Sequence, residues 1–342
     1  MKNKVLVTGG TGYIGSHTVV ELQNEGFDVF IIDNLANSDK KVLDGIKSIT
    51  GIKPVFEEFD LCDYDRLHAF FTLNPDIESI IHFAAYKAVG ESVEKPVLYY
   101  YNNIVSLLNL MKCMQEFRIP SMVFSSSCTV YGQPDVLPVS EDSPVQEAVS
   151  PYGNTKQIGE EIIRDTIHAH QDLKAISLRY FNPIGAHPSA YIGELPIGEP
   201  QNLVPYITQT ASGIRDELRV FGDDYDTPDG SCIRDYLHVV DLAQAHVVAL
   251  KRLLEGQNKD NYEVFNLGTG KGVSVFAVIE SFERVSGKKL KYRVVDRRAG
   301  DIEKIWADPS LANKEMGWAT RYSLDDAMKS AWDWELNYRN MK

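Results

Sequence analysis

A glycine-rich turn near the start of the chain lies between a strand and a helix. Lys4–Thr8 is an apolar run typical of a buried strand, and a helix is expected from the end of the turn to about Glu25. Between them, Gly9–Gly15 has the sequence GGTGYIG. A strand, a turn with this glycine spacing and a helix form the first βα unit of a dinucleotide-binding sheet. This unit constrains the fold more than any other feature of the chain.

Each glycine of the turn has its own steric role. Gly9 permits the tight turn, Gly12 the close approach of a pyrophosphate, and Gly15 the packing of the helix on the strand. The amide groups at the helix start are expected to bind the phosphates. The next strand, 28–32, leads to Asp33, whose carboxylate would accept a hydrogen bond from the adenosine ribose and repel a 2′-phosphate. We therefore expect NAD rather than NADP.

The alternation of strands and helices continues after this unit. Further elements are expected as strands at 54–59, 79–83, 121–124 and 175–178, and as a clear helix at 96–117. Repeated βα units predict an α/β fold, a Rossmann-like doubly wound parallel sheet that binds ligands at the carboxyl ends of its strands. Asp60, Phe83, Ala84 and Lys87 follow such strand ends, so they are candidates for the cofactor site.

Ser150–Lys156, with the sequence SPYGNTK, predicts the start of another helix. The serine can cap free amides, the proline fits the first helical position, and apolar residues at helical spacing continue to about Ala169. Tyr152 and Lys156 then face the same side, one turn apart. The ammonium group and the helix N-terminus are expected to lower the pKa of the phenol, which suits it for proton transfer. Taken alone, such a pair is also a common surface feature.

A polar stretch, Ser125–Gly132 (SSSCTVYG), follows the strand at 121–124. Serines are poor strand formers, and at a strand's carboxyl end their hydroxyls are expected to face the ligand. Ser127 or Thr129 would form a hydrogen bond with a substrate hydroxyl or carbonyl while Tyr152 transfers the proton. Cys128 is an alternative nucleophile, but no histidine is evident to activate it, and a buried thiol is favoured.

The regular alternation ends near residue 182, which predicts a second, smaller α/β lobe. We expect a NAD-binding domain of 1–183 with 236–270 and a substrate-binding lobe of 184–235 with 271–342. Residues 231–238 alternate like one strand. Arg297 and Arg298, in an acidic protein, are placed to bind a diphosphate through their guanidinium groups, and Arg234 could join them.

Composition excludes several other classes of function. The net charge of −13 argues against a nucleic-acid partner, and the longest apolar runs are too short to span a membrane. The four cysteines are too scattered for a disulfide framework or a zinc ribbon, and the eight histidines lack metal-ligand spacing, so no metal is expected. With no signal peptide evident, the expected location is the cytoplasm.

Several segments together resemble known enzymes. The Thr8–Gly15 turn with Tyr152-x-x-x-Lys156 resembles the extended short-chain dehydrogenase/reductase superfamily. Within it, the chain resembles the UDP-glucose 4-epimerase family over nearly its whole length, through Gly12–His17, Asp33–Leu35, Lys87–Ser92, Ser125–Gly132, Arg179–Pro183, Arg234–Val239 and Asn266–Gly268. The resemblance implies an isomerase of galactose metabolism that interconverts UDP-galactose and UDP-glucose through a transient 4-keto sugar, with NAD tightly bound.

The resemblance also implies residue roles. Tyr152 would be the acid/base, Lys156 its partner and Ser127 the second hydroxyl at the sugar. The NAD-binding set would be Gly9, Gly12, Tyr13, Ile14, Gly15, Asp33, Asn34, Asn37, Ser38, Asp60, Leu61, Phe83, Ala84, Lys87, Asn102, Ser125, Tyr152, Lys156 and Tyr180. The UDP-hexose set would be Lys87, Ser127, Thr129, Tyr152, Phe181, Asn182, Asn202, Leu203, Arg219, Phe221, Arg234, Tyr236, Arg298 and Asp301. A homodimer would form through the helices near 96–117 and 151–169.

Other functions on the same fold compete with this one. Sugar-nucleotide 4,6-dehydratases resemble this chain but carry Asp-Glu where Cys128 and Thr129 stand. A non-catalytic NAD-sensing protein would be expected to lose Tyr152 or Lys156, and both are present. Ile305 occupies a gate that is tyrosine in strict glucose/galactose enzymes and smaller in those that accept N-acetylated sugars. Isoleucine is intermediate, so acceptance of UDP-N-acetylhexosamines stays open.

Overall fold

Alternating strands and helices organise the structure, a computed structural model that describes residues 3–298 and 301–340. The strands are β1 (Lys4–Thr8), β2 (Asp28–Asp33), β3 (Val55–Glu58), β4 (Ile77–His82), β5 (Ser121–Ser125), β6 (Lys174–Tyr180), β7 (Asn182–Ile184), β8 (Leu218–Phe221), β9 (Ile233–Arg234), β10 (Tyr236–His238), β11 (Tyr262–Leu267), β12 (Val273–Ser274), β13 (Tyr292–Val295) and β14 (Lys304–Ile305).

The α-helices are α1 (Tyr13–Asn24), α2 (Val42–Thr50), α3 (Tyr64–Leu73), α4 (Val89–Glu94), α5 (Pro96–Phe117), α6 (Pro151–Ala169), α7 (Leu203–Ala211), α8 (Val239–Leu254), α9 (Val275–Ser286), α10 (Ser310–Met316) and α11 (Leu324–Asn340). A 3₁₀ helix covers Cys128–Tyr131. The predicted bounds of the helices at 96–117 and 151–169 are confirmed. Both begin with a proline, which fits the first turn because its missing N–H has no helical partner there.

The chain divides into two units. Unit 1 consists of Met1–Gly132, Pro144–Arg179 and Ala243–Phe265, and unit 2 of Gln133–Ser143, Tyr180–Leu242 and Asn266–Lys342. These bounds differ from the predicted ones, which gave 133–143, 180–183, 236–242 and 266–270 to the first domain. Strand pairing gives the reason, because β7 pairs with β10 and Val139 forms a bridge with Ala307, all within unit 2.

Unit 1 is built on a seven-stranded sheet with the order β11-β6-β5-β4-β1-β2-β3. The pairs β1–β2, β1–β4, β2–β3, β4–β5 and β5–β6 are parallel. The chain order reverses between β1 and β4, which is where doubly wound sheets bind their ligands, at the carboxyl ends of the strands. The predicted fold class, a Rossmann-like doubly wound sheet with a smaller α/β unit, is confirmed.

Both faces of the unit 1 sheet are covered. Val5, Leu6 and Val7 follow one another in β1 and are all fully buried, although successive side chains point to opposite faces. On one face, Leu6 packs in a core with Leu110 of α5 and Ile163 of α6. Burying each such side chain contributes about 1.5–3 kcal/mol. This core fixes α5 and α6 against the sheet that carries the candidate site.

Unit 2 contains the short sheets and its own core. Strands pair in the orders β10-β7, β12-β9-β14 and β13-β8. Phe282 of α9 packs edge-on against Trp332 of α11, with ring centroids 5.6 Å apart, in a core that also includes Val278 and Met328. The two helices that bury this core are thus α9 and α11.

The strand predicted over 231–238 is broken at Asp235, so the prediction of one continuous strand is wrong. β9 precedes this residue and pairs with β12 and β14, whereas β10 follows it and pairs with β7. The Asp235 carboxylate is fully buried and accepts hydrogen bonds from Thr269 N, Thr269 Oγ1, Gly270 N and Ala307 N at 2.8, 2.6, 3.1 and 3.2 Å. A carboxylate with four donors fixes the chain at this point, and the strand direction changes there.

Candidate active site

The glycine turn between β1 and α1 is shaped by contacts that exclude side chains. Gly9 has a φ of +70°, and a Cβ there would lie 2.7 Å from the Ala84 nitrogen that follows β4. A Cβ at Gly15 would collide with the Gly9 carbonyl oxygen. Gly12 is the N-cap of α1, and a Cβ there would lie 3.2 Å from the Gly9 carbonyl oxygen. The turn is therefore clear of side chains at Gly9, Gly12 and Gly15, where the predicted NAD site requires a close approach to the start of α1.

Asp33 lies at the end of β2 with its carboxylate held in place. Its oxygens accept hydrogen bonds from Thr11 N at 3.2 Å, Leu35 N at 2.9 Å and the Ser38 hydroxyl at 3.3 Å. The carboxylate is thereby joined to the glycine turn and lies where the fingerprint places the ribose-binding acid.

The remaining residues predicted to bind NAD cluster around neighbouring strand ends. Asn34 donates to Asp60 at 3.1 Å, and Asp60 accepts from Cys62 N at 2.8 Å. Phe83, after β4, contacts His246 with ring centroids 4.6 Å apart and the ring planes tilted by 47°. The other members have these places: Tyr13 and Ile14 begin α1, Asn37 and Lys87 are exposed in loops, Leu61 is buried, Asn102 lies on α5, and Tyr180 ends β6.

Tyr152 and Lys156 lie one turn apart at the start of α6. The Ser150 hydroxyl caps this helix by accepting from Gly153 N at 3.2 Å. Tyr152 is 8% exposed, and the Lys156 ammonium lies 5.9 Å from the centroid of its ring. The ammonium donates to the Ser125 carbonyl oxygen at 2.6 Å. Burial lowers the pKa of Lys156 to about 8, against the opposing charge of Glu160. The pair is thus buried and held in a fixed orientation rather than lying on the surface.

Two hydroxyls lie in the short segment after β5. Ser127 caps the 3₁₀ helix, since its hydroxyl accepts from Thr129 N at 3.2 Å. The buried Thr129 hydroxyl has no hydrogen-bond partner within the described residues. Gly153 packs closely here, because a Cβ on it would lie 3.3 Å from the Thr129 carbonyl oxygen. The close packing of α6 on this segment therefore places Thr129 against the helix turn that carries Tyr152.

Asn103 on α5 holds the start of α6, and sequence reasoning missed it. Its side chain donates to the Thr155 hydroxyl at 3.0 Å and to the Tyr86 carbonyl at 3.0 Å, and accepts from Tyr86 N at 2.9 Å. Thr155 in turn donates to the Tyr152 carbonyl at 2.7 Å. A buried asparagine with all its groups engaged indicates an orienting role, but its sequence context, Asn102-Asn103, carries no distinguishing signal.

In unit 2, the structure pairs two of the residues predicted to bind UDP-hexose. Arg234 in β9 donates to the Asp301 carboxylate at 2.5 Å and to the Ile233 carbonyl at 2.9 Å. Both side chains are partly buried. The pair leaves the remaining guanidinium donors in a fixed orientation, which suits bidentate binding of a phosphate.

The two adjacent arginines have different surroundings. Arg298 lies over the Phe221 ring with its guanidinium carbon 4.4 Å from the centroid, whereas Arg297 pairs with Asp224 at 2.7 Å and lies over Tyr225. The two residues that follow them, Ala299 and Gly300, lie outside the described residues. Of the two arginines, Arg298 is the one beside another predicted substrate residue.

The other predicted substrate residues of unit 2 are distributed over its strands and loops. Arg219 is exposed on β8, two residues before Phe221, and donates to Glu199 at 3.3 Å. Asn202 donates to Glu194 at 2.5 Å. The rest have these places: Phe181 precedes β7, Asn182 begins it, Leu203 begins α7, and buried Tyr236 begins β10, where burial raises the pKa of its phenol.

The described residues contain no cluster of three or more histidine, cysteine or acidic side chains able to hold a metal ion. None of the described helices combines the length and apolar character that a membrane span requires.

The glycine turn, the fixed Asp33 and the buried Tyr–Lys pair define a class, that of nucleotide-cofactor enzymes that couple cofactor chemistry to proton transfer. The chain belongs to the NAD dependent epimerase/dehydratase family, whose model matches residues 5–268. This membership confirms the predicted family and its NAD cofactor, and the glycine cradle fits that cofactor.

Relatives match the chain from end to end. A UDP-glucose 4-epimerase of Bacillus subtilis is 48% identical over 336 residues, covering 98% of each chain. The crystal structure of UDP-glucose-4-epimerase from Stenotrophomonas maltophila, with bound NAD and formylated UDP-arabinopyranose, is 46% identical with a TM-score of 0.95 and covers 100% of both chains. The enzyme from Bifidobacterium longum, in complex with NAD+ and UDP, is 44% identical with a TM-score of 0.94, covering 99% of each.

The turn geometry predicts that Gly15→Ala weakens NAD binding. The added methyl would displace the turn from α1 at a cost of about 1–3 kcal/mol, which corresponds to roughly 5- to 150-fold weaker binding. NAD released from the purified, denatured protein measures the effect. Gly90→Ala is the matched control, because nothing lies within 4 Å of a Cβ there. Equal NAD content in both variants would contradict the proposed cradle.

Proposed function

We propose that the protein is a UDP-glucose 4-epimerase that interconverts UDP-galactose and UDP-glucose through a transient 4-keto sugar. The observation that carries this proposal is the buried pair of Tyr152 and Lys156, whose ammonium donates to the Ser125 carbonyl two residues before Ser127, in a chain whose named relatives are UDP-glucose 4-epimerases over their full length. When bound, NAD accepts a hydride from sugar C4 and returns it.

Unit 1 supplies the proton chemistry. The Tyr152 phenolate takes the proton of the sugar 4-hydroxyl and later returns it to the other epimer. The ammonium of Lys156, close to the phenol, stabilises the ionised form. Ser127 donates a hydrogen bond to the reacting oxygen, and Thr129, whose buried hydroxyl has no hydrogen-bond partner within the described residues, belongs to the same segment. The phenol is thus an acid and a base in turn.

Unit 2 supplies binding energy. Arg234, fixed by Asp301, and Arg298, lying over Phe221, bind the diphosphate, and Asn182 and Asn202 contribute amide groups to the nucleotide sugar. Epimerisation requires the keto sugar to turn over between the two hydride transfers. A firm hold on UDP with a loose hold on the hexose meets this requirement, because remote binding energy keeps the mobile ring within reach.

The residues disfavour the competing functions. A 4,6-dehydratase needs an acid/base pair to remove water, and Cys128 and Thr129 provide no carboxylate at the corresponding positions. A cofactor-sensing protein has no use for a buried Tyr–Lys pair. Ile305, the proposed gate residue, is buried in β14 and lies in register with Arg234. An assay with an N-acetylated UDP-hexose tests which hexoses the enzyme accepts. We also propose a cytoplasmic location, consistent with four cysteines of which none forms a disulfide in the described residues.

Purified protein is expected to convert UDP-galactose into UDP-glucose without added NAD, because bound NAD is regenerated in each cycle. Tyr152→Phe is expected to lower kcat by about 10²- to 10⁴-fold while the fold and NAD content are kept. Tyr292→Phe, on exposed β13, is the matched control. Product analysis by chromatography measures both. Absence of conversion by wild-type protein that holds NAD would refute the proposed function. A parallel assay with UDP-N-acetylgalactosamine tests the gate at Ile305.

We further propose a homodimer formed through α5 and α6. Large apolar side chains of α5 remain exposed along one side of the helix, with Val97, Tyr101 and Leu108 exposed to 78, 59 and 47%. Spacings of four and seven residues place them on one face. A contiguous apolar face of this kind marks an interaction site on a water-exposed surface.

Val97→Glu combined with Leu108→Glu is expected to convert the dimer into monomers, because the charges would be buried without partners. Sedimentation velocity measures the change. Leu73→Glu is the control, since Leu73 is 81% exposed at the end of α3. A monomeric wild type, or a double variant that still sediments as a dimer, would refute the proposed interface.

A further inference from the structure

Glu160 follows Lys156 by one turn of α6, on the face that also carries Tyr152. Its side chain is 8% exposed. The carboxylate accepts a hydrogen bond from the Ser126 hydroxyl at 2.5 Å, while Lys156 donates to the carbonyl of the neighbouring Ser125 at 2.6 Å. Two successive turns of the helix therefore bind two successive residues at the end of β5. The next residue in the chain is the proposed substrate-binding serine.

Arg179, at the penultimate position of β6, holds the Glu160 carboxylate. Its Nε and Nη2 donate to the two carboxylate oxygens at 2.9 and 2.5 Å, and its Nη1 donates to the Tyr131 hydroxyl at 2.9 Å. Burial acts to lower the pKa of Arg179, but Glu160 outweighs this effect and raises it. Tyr131 ends the 3₁₀ helix that Ser127 caps. The ion pair thus contacts both ends of the segment that carries the substrate hydroxyls.

Glu160 also acts on the charge of Lys156. Burial lowers the pKa of Lys156 to about 8, and Glu160 opposes that shift. The other groups that face the ammonium are the Tyr152 phenol on α6, His82 on β4 and the Phe124 ring on β5. Burial and the ammonium lower the pKa of His82 to about 3, so this imidazole is neutral. Glu160 therefore favours the protonated, phenolate-stabilising form of Lys156.

We propose that Glu160, held by Arg179, is a positioning residue for the epimerase reaction. Glu160 fixes the Ser126 side chain, and Ser126 fixes the backbone of its two neighbours. One neighbour, Ser125, provides the carbonyl that accepts from Lys156, and the other, Ser127, carries the proposed substrate-binding hydroxyl. A buried ion pair is poor evidence of stability, because desolvation offsets the attraction between the charges. The contacts of the Glu160–Arg179 pair instead assign it to positioning, because they connect it with Ser126, next to Ser127, and with Lys156. The inference rests on the proposed epimerase function.

Two matched double variants distinguish an effect of Glu160 on the position of the reacting groups from an effect on the stability of the fold. Glu160→Leu with Arg179→Met replaces the ion pair by apolar groups of similar volume, which a fold often tolerates. The control is Glu263→Leu with Arg252→Met. Nε and Nη2 of Arg252 donate to the two carboxylate oxygens of Glu263 at 2.7 and 2.8 Å. The two side chains are 6 and 9% exposed, and this ion pair lies in unit 1 on α8 and β11, whereas the other lies on α6 and β6.

The first double variant is expected to lower kcat by about 10- to 100-fold at nearly unchanged KM, because misplaced reacting groups slow the chemical step. The control is expected to keep kcat near the wild-type value. Equal losses in both variants, or an unchanged kcat in the first, would overturn the proposal. If the first double variant does not fold, Ser126→Ala replaces it in the test, because this substitution removes only the hydroxyl that donates to Glu160. It should also lower kcat, and an unchanged kcat in Ser126→Ala would overturn the proposal.

The pH profile adds a readout that general destabilisation does not move. Glu160→Gln removes the charge that opposes the low pKa of Lys156, so the alkaline fall of kcat should shift to lower pH; Glu160→Asp should keep the wild-type position of that limb. Identical limbs in wild type and Glu160→Gln would refute the electrostatic part of the proposal. Conversion of UDP-galactose by the wild-type protein is measured first, because its absence would refute the epimerase function itself. Normal wild-type activity together with fully active Glu160 variants would refute only the positioning role.

Discussion

The buried ammonium of Lys156 donates to the Ser125 carbonyl at 2.6 Å, and this hydrogen bond joins the start of α6 to the end of β5. The rest of the site depends on it. The bond places a cation beside the Tyr152 phenol, and the same turn of helix packs on the segment that presents Ser127 and Thr129. Because a buried charge without a partner is costly, the ammonium also resists any shift of the helix away from the strand.

Each unit contributes a different kind of fixed group. In unit 1, the sheet order reverses between β1 and β4, so the glycine turn and the residues after β4 lie side by side at the carboxyl edge. In unit 2, the Asp235 carboxylate breaks what would be one strand and fixes the chain beside Arg234. In the proposed function, the first arrangement provides cofactor and proton-transfer groups, and the second provides an arginine for a phosphate. Both roles agree with membership of an NAD dependent epimerase/dehydratase family.

Local patterns predicted much of this fold and part of the site. The bounds of α5 and α6 followed from their first-turn prolines and apolar spacing, and the βα turn followed from three glycines before a strand that ends in Asp33. What escaped prediction depends on distant partners. Asp235 breaks its strand because of donors 34 and 72 residues away, and Arg179 reaches Glu160 across 19 residues. Nothing in the local sequence distinguishes Arg297, paired with Asp224, from Arg298, which lies over Phe221.

In the proposed reaction, Tyr152 moves only the hydroxyl proton, while the hydrogen on sugar C4 leaves and returns as hydride. Epimerisation of UDP-galactose in D₂O, followed by NMR of the C4 position, distinguishes the two hydrogens. Since the cofactor returns the same hydrogen without exchange, we expect UDP-glucose with no solvent deuterium at C4. Deuterium at C4 would mean that a carbon-bound proton is removed and replaced from solvent, which would contradict the proposed roles of Tyr152, Lys156 and NAD.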